Sequence, residues 1–255
     1  MTENDPLEDG QMTLIEHMIE LRDRIVYSLI AAGIAIVICF SFNEPIWDFL
    51  FEPVQKALAD SGKGSLAVHS LLEGFMNKIK ISALAGIVLA SPVLSYQAWK
   101  YIAPALYPHE KQFIFPLAIA STFLFLLGVS FGYFVIFDFI FSFLLSQSQE
   151  SVTAVISIDN VLMTCSKLLA GFGLTFQLPV ISFFLAKAGL IDHIDMISFF
   201  RYAIVLIFVV AAFLTPPDPI SQMLMAIPLT ILYSIGIVIA WIFSNKERLE
   251  ELQNT

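Results

Sequence analysis

Residues 99–111 read W-K-Y-I-A-P-A-L-Y-P-H-E-K, a short polar break between two long apolar runs, 79–98 and 113–137. Pro104 and Pro108 each lack an N–H and restrain the residue before them, so this stretch does not continue as helix. Three aromatic rings, Trp99, Tyr101 and Tyr107, together with Lys100 and Lys111 give it the composition of a loop at a membrane surface. Glu110 follows Pro108 where the next helix begins, and a carboxylate there suits the positive end of a helix dipole or a cation arriving from water.

Outward from this break the chain is too apolar for one soluble core. Of its 255 residues 58% are hydrophobic and 14% charged. A helix crossing hydrocarbon needs about 20 apolar residues. Six runs qualify or nearly so: 25–42, 79–98, 113–137, 166–188, 200–214 and 220–243. None shows the alternation of a membrane barrel strand. The fold class is therefore all-α, a polytopic membrane protein of six transmembrane helices in a single domain, residues 1–255.

The first twelve residues are acidic and polar, a disordered tail in expectation, with none of the basic start of a targeting peptide. Thr13 and Glu16 then form a T-x-x-E capping box. Leu14, Met18, Leu21 and Ile25 share one helical face, with Glu16, Glu20 and Asp23 opposite. The spacing predicts an amphipathic lead-in to the first span, its carboxylate stripe turned to water and Glu20 paired with Arg24 at i,i+4. Residues 43–78 form the longest polar connection, broken by Pro45 and Pro53, with Trp47, Phe49 and Phe51 among acidic residues. One or two short helices resting in the membrane interface, rather than crossing it, are expected there. Ser70 and Glu73 make a second capping box before Lys78 and Lys80.

Lys and Arg mark the cytoplasmic side. Loop 99–112 carries Lys100 and Lys111, and loop 187–201 carries Lys187 and Arg201. Segments 138–166 up to Ser166 and 215–219 carry neither. With Arg22 and Arg24 before the first span and Lys246 and Arg248 in the tail 244–255, both termini are expected in the cytoplasm. The lysines of 43–78 dissent, but long loops count less.

The net charge of −9 argues against nucleic-acid partners. Cys39 and Cys165 have no ligand-like spacing to histidine; they are read as buried small side chains, with a disulfide as the alternative. No cofactor or metal motif is present, and no paired aspartates, serine–histidine pair or zinc motif suggests an intramembrane enzyme. The spans hold almost no charge, unlike an ion-coupled solute carrier, which stands as the alternative function. Gly128-V-S-F-Gly132 permits a close helix contact. Pro228 predicts a kink in the sixth span. Gln177, in G-F-G-L-T-F-Q-L-P, sits within the fourth span two residues before Pro179. Its amide needs a partner, either a carbonyl freed by that proline or another membrane helix.

Taken together, H-M-I-E-L-R-D-R, S-P-V-L-S-Y-Q-A-W-K-Y-I-A-P-A-L-Y-P-H-E-K, F-G-L-T-F-Q-L-P and L-T-P-P-D-P-I-S-Q-M-L-M-A-I-P resemble, in order and spacing, the TatC family of the twin-arginine protein translocase, from about Glu16 to Trp241. The resemblance implies a cupped bundle, thinned where the fifth and sixth helices are short. It implies a bacterial inner-membrane receptor for twin-arginine signal peptides, moving folded proteins with the proton-motive force and without catalytic turnover. Glu20 and Glu110 fall on the family's arginine-reading positions. Thr215 and Gln222 fall where single-span TatA and TatB partners dock, with Gln177 a further helix contact. A homo-oligomer within the Tat complex is implied as well. Arg22, Pro53, Pro92, Pro104, Pro179, Pro216 and Asp218 match structural motif positions. Relatives commonly carry glutamate where this chain has Gln177 and Ser234; glutamine keeps hydrogen bonding but does not titrate.

Overall fold

The computed structural model describes residues 14–62, 65–68, 70–102, 114–146, 155–215 and 218–253, with side chains as far as Phe243. Glu110, Pro104, Pro216, Thr13 and the acidic start lie outside the described residues. Six helices are long and apolar enough to cross a membrane. The first is α1 (Leu14–Ser41) and the second α3 (Leu71–Ile102). The third joins α4 (Ile114–Phe131), a π-helical turn (Gly132–Phe137) and α5 (Asp138–Ser146). The fourth joins α6 (Ile158–Thr175) and α7 (Leu178–Lys187). The fifth and sixth are α8 (His193–Leu214) and α9 (Pro219–Gln253).

The principal helix contacts run α1–α3–α4–α6 and α7–α9–α8, an open row rather than a closed ring. Glycines set how closely it packs. A Cβ on Gly86 of α3 would lie 2.8 Å from the Cα of Ile36, so only glycine lets α1 and α3 approach this far. A Cβ on Gly128 of α4 would meet the Phe172 carbonyl oxygen at 2.6 Å, and one on Gly132 the Phe172 side chain at 3.3 Å. The Gly128–Gly132 spacing thus serves the α4–α6 seam.

Of the one or two helices expected over 43–78, one forms: α2 (Asn43–Ser61), which runs through Pro53. It buries Leu50, Phe51, Val54 and Ala57 in the main core and packs on α5. The reason lies in the third span. At 33 residues and about 1.5 Å per residue it exceeds the roughly 30 Å of hydrocarbon. Its continuation past Asp138 offers Phe141 and Leu145 to cover, and the apolar face of α2 covers them. The Tyr133 hydroxyl, at the π-helical turn, donates to the Phe49 carbonyl and ties the two together.

At the same end, β1 (Ser65–Ala67) and β2 (Val155–Ser157) pair in parallel, Leu66 opposite Ile156, a small departure from all-α. Around them Lys80 pairs with Asp159, the Ser157 hydroxyl donates to Glu73, and Asn43 donates to the Lys78 carbonyl at 2.9 Å. The Ser70 hydroxyl accepts from the Glu73 N–H at 3.1 Å, starting α3 as its capping box predicts.

The fifth span starts at His193, not at 200, because Asp192 and Asp195 form a reciprocal capping box across what was read as a loop. At 22 residues it is the shortest of the six and still long enough to span. The sixth helix continues through Pro228 and onward to Gln253, so most of the 244–255 tail is helical. Cys39 and Cys165 are buried and free, not joined.

Candidate functional site

On the end of the molecule opposite the β1–β2 pair, α1 and α3 hold a cluster of polar side chains. Arg24 Nη2 donates to Glu20 Oε1 at 2.8 Å, and Arg24 Nη1 reaches Gln97 Oε1 at 3.5 Å. The pair is largely shielded, with 15% of the Glu20 side chain and 19% of that of Arg24 exposed. Glu20 Oε2 and Arg24 Nε are buried without a hydrogen-bond partner among the described residues. One helical turn earlier the His17 ring stacks on Tyr101 with centroids 4.7 Å apart. A shallow cavity of about 270 Å³ opens beside the cluster between Leu21, Arg24, Ile25, Leu94, Gln97 and Tyr101.

This corrects the water-facing carboxylate stripe at one position. Glu16 is exposed and the Asp23 side chain 47% exposed, but Glu20 is largely shielded against Arg24, and Met18 and Ile25, from the apolar face, are exposed. The inward-apolar rule belongs to water; a span beside lipid keeps its apolar face outward and its polar groups against neighbouring helices. Arg22 stays outside, paired with Asp23 at 2.8 Å. Trp99 is likewise no surface-loop residue. It lies near the C-terminal end of α3, 6% exposed. α3 ends at Tyr101 and Ile102, with Tyr101 beside the His17 turn of α1.

A second polar seam joins three spans. Trp99 Nε1 of α3 donates to Ser121 Oγ of α4 at 2.7 Å, and Gln177 Nε2 donates to the Ser121 carbonyl at 3.0 Å. Gln177 sits at the break between α6 and α7, where Pro179 occupies the first turn of the new helix. Its amide is satisfied across the helix interface, and not by a carbonyl that Pro179 releases in its own span. Ser121 carried no signal in the sequence, because serine is common in spans and only the packing selects this one.

At the α8–α9 turn, Thr215 caps α8. It is buried, and its hydroxyl donates to the Ala211 carbonyl at 2.9 Å. Asp218 caps α9 by accepting the Ser221 N–H at 2.7 Å. Gln222 Nε2 donates back to the Phe208 carbonyl at 2.9 Å. Further along, Phe208, Met223, Ile227, Thr230 and Ser234 line an apolar groove of about 600 Å³ on the outer face of α8 and α9. Pro53 lies in the interior of α2 and Pro92 in that of α3, where Pro92 lines a separate cavity of about 640 Å³ with Ser91 and Tyr133.

Residues 16–228 match the model of the Sec-independent protein translocase protein (TatC) family. The chain belongs to the TatC family. A TatC of Desulforapulum autotrophicum is 40% identical over 244 residues, 96% of this chain and 90% of that protein. One of Helicobacter pylori is 42% identical over 88% of this chain and 85% of that protein. Among solved structures, a crystal structure of the twin-arginine translocase receptor TatC superposes with a TM-score of 0.80 at 39% identity, covering 88% of this chain and 98% of that one. A second, in DDM, gives 0.81. The cupped six-helix bundle of this TatC protein is thus that of a solved receptor.

Proposed function

We propose that this chain is the receptor core of a twin-arginine translocase, lodged in a bacterial plasma membrane with both termini cytoplasmic. It binds signal peptides that carry consecutive arginines and, with TatA- and TatB-type single-span partners, passes folded proteins across using the proton-motive force. Family membership and the likeness to a receptor of that description support the reading. The observation that carries the site is the Glu20 carboxylate, largely shielded beside Arg24, with Oε2 unpaired among the described residues. A guanidinium is a planar fork of donors, and a carboxylate accepts it through both oxygens.

Glu110 is the second reader in this proposal, on the strength of its position in the family motif. Gln177, Thr215 and Gln222 belong to the partner-facing side. The groove of α8 and α9 with Thr230 and Ser234 is the surface offered to a partner helix there. With six spans the two termini share one side, and the Lys/Arg distribution assigns that side to the cytoplasm.

The test is binding of an Arg-Arg signal peptide to the purified protein. Glu20→Ala and Glu110→Ala should each remove a charge-assisted contact of about 1.5–3 kcal/mol, a loss of about ten- to a hundredfold in affinity. The double substitution should abolish detectable binding, while Glu16→Ala binds nearly as the parent does. Normal binding by folded Glu20→Ala and Glu110→Ala proteins would remove the reader assignment. A loss in Glu16→Ala as large as in Glu20→Ala would replace a specific reader by a diffuse acidic field.

A further inference from the structure

The Glu20–Arg24 pair is built in a way that a purely structural ion pair does not require. A carboxylate and a guanidinium can satisfy each other with two parallel hydrogen bonds. Here one helix holds both, four residues apart, and the geometry allows a single bond of 2.8 Å between Nη2 and Oε1. Each partner keeps a buried polar atom with nothing to bond, Glu20 Oε2 and Arg24 Nε. Buried polar atoms are seldom left so, and two on one pair mark a contact held in reserve. Gln97 Oε1 waits on the far side of Arg24 at 3.5 Å, the outer limit of a hydrogen bond. A small movement of Arg24 toward α3 would shorten that contact and release Oε1.

We propose that Arg24 is a specificity-determining residue, an internal competitor for the Glu20 carboxylate, and that Gln97 receives its guanidinium when a ligand displaces it. The proposal rests on Glu20 being the arginine reader. An incoming guanidinium that reaches the shielded carboxylate bonds the unpaired Oε2, takes Oε1 as well, and exchanges the single internal bond for a bidentate one. Arg24 then turns to Gln97. An ammonium group is a point donor without the fork. It engages Oε2 alone, leaves Arg24 in place, and sits against that residue's positive charge. Arg24 thereby makes the site favour arginine over lysine, where a bare carboxylate would accept either cation.

The experiment measures binding of two fluorescent signal peptides, Arg-Arg and Lys-Lys, to the full chain in lipid nanodiscs. Arg24→Gln should tighten the Lys-Lys peptide about tenfold and the Arg-Arg peptide less, so that discrimination falls. Arg24→Lys keeps the charge and stem without the fork and should give an intermediate ratio; it carries the test if Arg24→Gln does not fold. Gln97→Leu should also narrow the ratio, through weaker Arg-Arg binding. An unchanged ratio in the folded Arg24 variants, or an equal loss for both peptides, overturns the proposal. Glu20→Gln separates the two levels. If it binds Arg-Arg as the parent does, the reader reading has failed. If it loses binding while the Arg24 variants keep the parental ratio, the reader stands and Arg24 is only structural.

Discussion

Replacing Gly128 by alanine tests the α4–α6 seam that holds the row of helices together. The added methyl would lie 2.6 Å from the Phe172 carbonyl oxygen and 2.8 and 2.9 Å from Phe176 side-chain carbons, where ordinary contacts begin at 3.4 Å. The helices must part by about 0.8 Å at this point, because one obstacle is backbone. Phe172 and Phe176 both belong to that wall and both pack on Phe131, at 5.4 and 5.8 Å between ring centroids. Overpacking of this kind costs about 1–3 kcal/mol. Alanine returns up to about 1 kcal/mol of helix propensity. Gly33→Ala is the matched control, on the outer face of α1 with nothing within 4 Å of the new methyl, and gains the propensity alone. The two variants should therefore differ by about 1–3 kcal/mol, or about 2–10 °C in thermal unfolding for a chain of this size. Thermal unfolding in one detergent at one scan rate measures it. Equal stability of Gly128→Ala and Gly33→Ala would show that the seam does not depend on this close approach.

Gln177→Leu should lose the bond to the Ser121 carbonyl, about 0.6 kcal/mol for such bonds between membrane helices, and weaken crosslinking to a TatA- or TatB-type helix. Gln177→Glu can replace that donor only when protonated, so its stability should fall as pH rises while the parent's stays level; a level profile for the variant would exclude the Ser121 contact as its support. Cysteines placed at Ser61 or Ser148 should react with an impermeant reagent from outside intact cells, against a low background because Cys39 and Cys165 are buried. Labelling of positions 95–111 from that side would reverse the orientation.

The sequence alone determined that the chain spans a membrane and how often. Hydrocarbon demands about 20 apolar residues in a row, and that demand is met locally, run by run. It also determined the family, through motifs read in order, and the capping of α3 and the Glu20–Arg24 pair, through spacings of three and four residues along one helix. What tertiary structure decided lies between helices. That Arg24, the partner of Glu20, reaches Gln97 depends on α3 lying beside α1, and Gly86 permits that approach. That Ser121 receives both Trp99 and Gln177 depends on three spans meeting at one level. That one face of the 43–61 helix is buried depends on α5 giving it an apolar surface to cover. Apolar patterning shows that a face must be covered or lie against lipid, and only the partner helix decides which.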